Sequence, residues 1–275
     1  MSGTIDAVRE FWEKNPLWEG ECTQAPGSRE FFEMHRRVVV DDCYAGRFDE
    51  RLLPLPDEWD HVLDLGCGTG FWTVELLLRG CPRVTAADLT ERALELTRKR
   101  CDIYGVQAEF SRQNAERMTF EDGAFSHVNC QGVIHHTPDT QACVREIARV
   151  LRPGGTASVS VYYLNHILRQ WRFLSWTGKF LGAMGGRLYG RGRDGLFYQD
   201  DVGELVRLYD GKDNPVGKCY SRERFLSMLL PYFQVKETFL HFFPARALPV
   251  RIPAPLHRAL DRHVGFMIYA ILAKR

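Results

Sequence analysis

The sequence predicts an α/β fold with a mostly parallel sheet, and two observations carry that prediction. From residue 61 to residue 163, short apolar strand signals alternate with helical stretches. That alternation implies parallel strands joined by right-handed crossovers. The first strand signal, 61–65, is apolar apart from His61 and Asp64, and it runs directly into Gly66, Cys67, Gly68, Thr69 and Gly70. Glycine at every second position removes the side chains that would hold a flat ligand off the backbone, and it permits positive φ. A large planar ligand is expected on this turn.

The elements follow in order. Ile5–Lys14 reads as a short amphipathic helix with Val8, Phe11 and Trp12 on one side. Residues 15–27 hold Pro16, Gly20 and Pro26 and read as loop; 28–42 return to a helical pattern with Phe31, Phe32, His35 and Val39. These aromatics suit a lid, but the preferred expectation is that Trp12, Trp18, Phe31 and Phe32 simply pack the helices onto the domain.

After the glycine turn comes a crossover helix over 71–79, then a strand over 83–87 that ends on Asp88. Thr90 is a suitable N-cap for a helix over 91–104, with Glu91 and Glu95 early and Arg98, Lys99 and Arg100 late, matching the helix dipole. Gly105 stands where such a helix ends. Strands are expected over 107–110, 127–132 and 156–163, with a helix over 139–151 before the last of them. Downstream, Ser221 caps a helix over 221–230, and strands follow over 234–242 and 264–273.

The dinucleotide fingerprint needs Gly-x-Gly-x-x-Gly. Here the third glycine comes one residue early, which argues against a nicotinamide dehydrogenase. Asp88 is well placed to bind a ribose diol through two charge-assisted hydrogen bonds. Strand, glycine turn, helix, strand and terminal acid resemble the S-adenosylmethionine site of class I methyltransferases.

From Val62 to Tyr163 the chain is similar to the methyltransferase type 11 (UbiE-like) family. Asn114-Ala115-Glu116 stands where that family usually has Asp-Ala-Glu. The run from Gly132 to Asp139 resembles its segment after strand four, and Leu151 to Gly155 its turn before strand five. The resemblance implies a Rossmann-like core whose seven-stranded sheet takes an antiparallel last strand between its neighbours. It also implies S-adenosylmethionine as cofactor, addressed by Asp64, Gly66, Cys67, Gly68, Gly70, Asp88, Leu89, Asn114, Ala115, Glu116 and Gln131. Two departures matter. Asn114 replaces an acid, yet its amide can still bond the adenine edge. Ser126 replaces an aspartate, which is expected to cost local order.

Methyl transfer from a sulfonium draws mainly on in-line positioning and water exclusion. A base is needed only where the acceptor must lose a proton. Ligands bind beyond the carboxyl ends of the strands, so His136 and His135, just after strand four, are the first candidates, and histidine titrates in a suitable range. Tyr198 is a further candidate catalytic residue; Tyr162, Tyr163, His166 and His241 stand at the same rim.

Residues 164–220 form a lid insertion. Its first half carries Arg169, Arg172, Lys179, Arg187, Arg191 and Arg193 among Trp171, Phe173, Trp176 and Phe180; its second half turns acidic. Three roles compete: a cover whose aromatics fill its own core, a receptor for an anionic or amphipathic substrate, and a segment lying on a membrane surface. The first is preferred. Glycines at 178, 182, 185, 186, 190 and 192 argue for a jointed, mobile cover. The stretch 242–263, with four prolines, is a second excursion that packs beside the first or forms a subunit contact.

The expected organisation is a helical cap over 1–50, a cofactor-binding core over 51–163, the insertion over 164–220, and a sheet-completing segment over 221–275. Lys and Arg exceed Asp and Glu by one, so no global field attracts nucleic acid. Eight cysteines are scattered without a metal-binding or disulfide pattern, as in a cytoplasmic enzyme. No apolar run is long enough for a membrane span, and the first ten residues do not resemble a signal peptide. The expected acceptor is a small-molecule or lipid-like compound, with oxygen, nitrogen and carbon atoms all open. An RNA or protein methyltransferase and a non-catalytic cofactor-binding module are the rivals. Oligomeric state is not readable.

Overall fold

The computed structural model describes residues 3–53, 60–186 and 196–275. It opens with two helices, α1 (Ile5–Lys14) and α2 (Arg29–Val38), the second running on into a π-helical turn over Val39–Cys43. Thr4 and Ser28 cap them, each accepting a backbone N–H with its hydroxyl.

The core then alternates as expected: β1 (Val62–Leu65), α3 (Phe71–Leu78), β2 (Val84–Asp88), α4 (Glu91–Tyr104), β3 (Glu109–Arg112), β4 (Phe125–Gln131), α5 (Thr140–Val150) and β5 (Leu151–Tyr163). Thr90 caps α4, Gly105 closes it at φ 68°, and Asp139 caps α5. The insertion contributes α6 (His166–Arg169), α7 (Trp171–Ala183) and α8 (Val202–Leu208). A two-residue β6 (Cys219–Tyr220), α9 (Arg222–Leu229), β7 (Phe233–His241), α10 (Ala254–Val264) and β8 (Met267–Lys274) complete the chain.

The sheet runs β3-β2-β1-β4-β5-β8-β7, with β8 antiparallel to both of its neighbours. This is the predicted seven-strand order; the short β6 adds an eighth strand on β5. Central strands are buried on both faces, as parallel sheets require. Val128, Val159, Ile268 and Leu272 pack against Val144 and Ile147 of α5 and Phe225 and Leu229 of α9. Toward the carboxyl end of β5, Tyr162 and Tyr269 join Trp171 and Leu205 of the insertion and Tyr44 of the N-terminal segment in a second core.

Several expectations are corrected. Ser126 costs no order, because its hydroxyl donates to the His61 carbonyl at 2.9 Å and accepts the His61 N–H at 3.1 Å. Arg100 does not complement the dipole of α4, whose last turn carries no basic residue. It is 1% exposed, and its guanidinium bonds His35 Nδ1 and the carbonyls of Thr69 and Phe32. Burial pushes its pKa down to about 10. Arg100 therefore ties α2 to the glycine turn. Helix α7 passes through Gly178 and Gly182 without a joint; Gly178 is buried, and a Cβ on Gly182 would stand 3.2 Å from the Tyr198 hydroxyl. Glycine there serves close packing. The helix ends near Gly185, at φ 91°. Arg187, Arg191, Arg193 and the glycines at 190 and 192 lie outside the described residues. The second excursion packs on β7 through α10, where Asp261 bonds His241.

Candidate active site

The carboxyl ends of β1, β2 and β4 open onto a pocket lined by the glycine turn (Gly66, Gly68), by Asp88, Leu89 and Thr90, by Gln113, Asn114 and Ala115, and by Gln131, Gly132, Val133 and His136. Its roof is α1 and the loop after it, through Ile5, Val8, Trp12 and Leu17. Trp12 thus belongs to a lid, contrary to the packing role expected for it. Trp18, Phe31 and Phe32 do pack, in a cluster of their own. The roof is pinned by Glu13, whose two carboxylate oxygens accept the N–H groups of Glu91 and Arg92 at 3.0 Å each. A carboxylate is favoured at that helix N-terminus by its unpaired donors.

The three turn glycines serve different ends. All have positive φ, at 75°, 54° and 74°. A Cβ on Gly66 would meet Val133 at 2.3 Å, and one on Gly70 would meet Thr97 at 2.8 Å. Those two are required by packing. A Cβ on Gly68 would meet only Leu17, at 3.8 Å, so this glycine faces open space in the pocket and alone has the role expected of all three.

Asp88 holds the turn and keeps capacity for a ligand. Its Oδ1 accepts from the backbone and hydroxyl of Thr90 at 3.0 and 2.9 Å, and its Oδ2 accepts the Gly68 N–H at 3.1 Å. Carboxylate oxygens each accept more than one bond, so Oδ2 can still receive a hydroxyl. Burial pushes its pKa up, against the pull of the Thr90 and Gly68 N–H groups. Asn114 lines the pocket and uses its carbonyl on the Glu116 N–H, so its NH₂ is not spent on that bond. Gln131 has a buried Oε1 with no protein donor. An open glycine cradle, an acid at the end of β2 and an unmet acceptor beside the turn fit a nucleoside carrying a charged amino-acid tail, as S-adenosylmethionine does.

Other expected cofactor residues stand behind the pocket wall. Asp64 is 1% exposed and holds Thr73 and Asn129 at 2.5 and 2.8 Å. Burial pushes it up to about 6, with those hydrogen bonds opposing. Gly70 and Glu116 do not line the pocket either; Glu116 caps the start of α5 by accepting the Asp139 N–H. Cys67 lines the adjoining pocket.

That adjoining pocket shares Trp12, Leu17, Gly66, Gly68, Gln131, Gly132 and His136 with the first. Its walls are aromatic, from Tyr44, Phe71, Trp72, Tyr162, Tyr209 and Tyr269, with Asp210 and an Asp42–Arg246 ion pair among them. At the junction, His136 Nδ1 donates to the Val216 carbonyl at 2.9 Å. Its Nε2 lies 3.5 Å from Asp210 Oδ2, and Asp210 also accepts from the Tyr162 hydroxyl at 2.8 Å. This tautomer leaves Nε2 able to take a proton.

Of the other catalytic candidates, His135 is fully buried beneath Tyr162 and His136, with ring centroids 4.1 Å from each, and burial holds it neutral. It lines neither pocket. Tyr198 is 57% exposed and stands against Gly182 on the insertion, away from both pockets. Asp210 was missed by sequence reasoning, because Tyr209 to Pro215 reads as a pair of turns and nothing local points to His136.

Residues 62–155 match the family model of the methyltransferase domain. A ubiquinone biosynthesis O-methyltransferase of Xanthomonas campestris pv. campestris (strain B100) is 36% identical over 100 residues, which are 36% of this chain and 41% of that relative. The chain thus spans about two fifths of the length of the relatives it matches in sequence. The fold is shared with an S-adenosylmethionine-dependent methyltransferase of Methanosarcina mazei, with TM-score 0.55 and 20% identity, covering 79% of this chain and 93% of that one. A protein of Pyrococcus horikoshii OT3 aligns at TM-score 0.56 and 15% identity over 97% of this chain and 99% of that one. The fold is that of the class I methyltransferases. Residues 62–155 are thus similar to a methyltransferase domain, and the fold around them is shared with an S-adenosylmethionine-dependent methyltransferase.

Proposed function

We propose that the protein transfers a methyl group from S-adenosylmethionine to a small or amphipathic acceptor held in the aromatic pocket. The observation that carries this reading is the junction of the two pockets at Gly68, Gln131 and His136. S-Adenosylmethionine supplies a methyl group on a cationic sulfur that becomes a neutral thioether as the methyl leaves. The chain's own part is to place an acceptor on the far side of that junction, exclude water beneath Trp12 and Leu17, and remove a proton where the acceptor carries one.

His136 Nε2 is the proton's destination. As a hydroxyl or amine forms its new bond to carbon, its proton moves to Nε2, and Asp210 stabilises the imidazolium across 3.5 Å. Val216 fixes the ring of His136, a residue that lines both pockets, and Tyr162 steadies Asp210. Aromatic walls favour an acceptor with a flat or apolar body. The name of the ubiquinone-pathway relative is consistent with a small or lipid-like acceptor.

The test uses S-adenosylmethionine labelled in its methyl group, incubated with the protein and an extract of its source cells. Label in the small-molecule or lipid fraction is the expected result. Label confined to RNA or protein overturns the acceptor class. Cofactor binding by calorimetry without label in any fraction overturns the enzyme reading in favour of a silent binding module.

A further inference from the structure

Helix α7 carries its apolar residues on two opposite faces, and the fold covers only one. Trp171, Ser175 and Gly178 turn inward and are buried; the Trp171 indole donates to the Gln199 carbonyl at 2.7 Å and its ring joins Tyr162 and Tyr209 in the core. Phe173, Trp176, Phe180 and Met184 remain 72, 63, 59 and 60% exposed. The preferred expectation, that the insertion's aromatics would fill its own core, is therefore corrected for these residues. At about 100° per residue the four positions fall within an arc of about 80°, a stripe about 16 Å long. Large apolar side chains gathered on one surface mark an interaction site.

The charges beside the stripe say what it meets. Residues 164–186 contain no Asp or Glu, but they include Arg169, Arg172 and Lys179. Arg172 and Lys179 adjoin the stripe on one flank by the same helical arithmetic. Lys179 pairs with Asp200 and Arg169 with Glu223, while exposed Arg172 has no carboxylate partner among the described residues. The stripe is an exposed row of Phe, Trp and Met with Arg172 and the Asp200-paired Lys179 along one flank. That is the arrangement by which an amphipathic helix lies at the headgroup level of an anionic bilayer, rings among the acyl chains and cations among the phosphates.

We infer that the outer face of α7 docks the protein onto an anionic lipid surface. No helix among the described residues is long and apolar enough to cross a membrane, so the contact is interfacial. It also places the aromatic pocket close to the bilayer, since Trp171 on the inner face of α7 packs with Tyr162 and Tyr209 of that pocket.

The test is flotation of the full chain with vesicles of phosphatidylcholine alone and of phosphatidylcholine with phosphatidylglycerol. The protein is expected to float with the anionic vesicles and to be released by salt. Phe173→Ser/Trp176→Ser/Phe180→Ser is expected to lower partitioning by about tenfold or more, and Arg172→Glu by about fivefold. Near-ultraviolet circular dichroism checks that each variant is folded. Should the triple variant fail to fold, brominated lipid is expected to quench the wild-type fluorescence and to quench Trp176→Phe less. Wild type that stays with the unbound fraction, a folded triple variant that floats equally, or quenching unchanged in Trp176→Phe would each overturn the inference. So would a dimer, seen by sedimentation, that the triple variant abolishes while vesicles bind neither form. Flotation is read without any acceptor, so its failure is separable from failure of the methyltransferase reading.

Discussion

His136 and Asp210 meet across the junction of the two pockets, Nε2 to Oδ2 at 3.5 Å, although 74 positions separate them in the chain. The pair joins the 3₁₀ turn after β4 to the far end of the insertion. With Nδ1 committed to Val216, the ring's other nitrogen lies beside the Asp210 carboxylate, and the residue lines both pockets.

His136→Gln keeps a polar side chain without the basic nitrogen. Turnover on a hydroxyl or amine acceptor should fall by roughly 10²–10⁴-fold, with S-adenosylmethionine affinity changed little. Asp210→Asn should slow turnover less. Steady-state rates beside calorimetric cofactor titrations check both; equal losses in rate and cofactor affinity would make His136 a wall residue.

Asp88→Asn removes the charge but keeps the shape. Cofactor affinity should drop by about tenfold or more, since charge-assisted bonds are worth roughly 1.5–3 kcal/mol. The turn should also loosen, because the same carboxylate holds Gly68 and Thr90. Isothermal titration together with a urea melt separates the two effects; full affinity in a folded variant would take Asp88 out of the site.

Gly66→Ala should destabilise the fold by about 1–3 kcal/mol, because its Cβ would collide with Val133 and its φ is 75°. Adding Val133→Ala should recover part of the loss. The residue of about 1 kcal/mol belongs to the backbone, where alanine disfavours left-handed φ. A double-mutant cycle by denaturant melts tests this, and strict additivity would show that the two positions do not touch.

His241 sits between two acids, Asp261 at 2.5 Å and Asp49 at 2.7 Å, joining β7, α10 and the N-terminal segment. Burial would lower its pKa, but the Asp261 and Asp49 bonds outweigh burial and leave it raised. Its contribution is thus complete below the unfolded value of about 6.5 and is lost as pH rises through the folded value. Asp49 runs the other way. Burial would raise it, yet His241 and Arg51 hold it low, so its share is present above about 3.9 and fades as pH falls. The melting temperature should fall from pH 6 to pH 9 more steeply in wild type than in His241→Gln, and parallel curves would rule out this clamp.

The parts of the site legible in sequence were those made by neighbours in the chain. The glycine turn and Asp88 lie on one βαβ unit, so spacing alone aligns them. The caps Thr90 and Ser221 are equally local, and the strand order came through the family resemblance. What stayed hidden depends on where distant segments land. Asp210 reads as a turn residue until the insertion folds back on His136. Trp12 reads as packing until α1 is seen clamped to α4 by Glu13. Phe173, Trp176 and Phe180 carry the same apolar signal as Trp171, and only the packed helix distinguishes the outer face from the inner one.

The placement of β8 has a consequence for how the protein is made. Residues 267–274 lie between β5 and β7, hydrogen-bonded on both sides. Until they leave the ribosome, the nascent sheet is split, with the apolar margin of Val159 and Val161 open to any passing strand. The cofactor half can assemble early from contacts near in sequence, but closure waits for a pairing more than a hundred residues long-range. Until β8 pairs, the open edge of β5 makes that stage of synthesis the one most exposed to strand-to-strand aggregation.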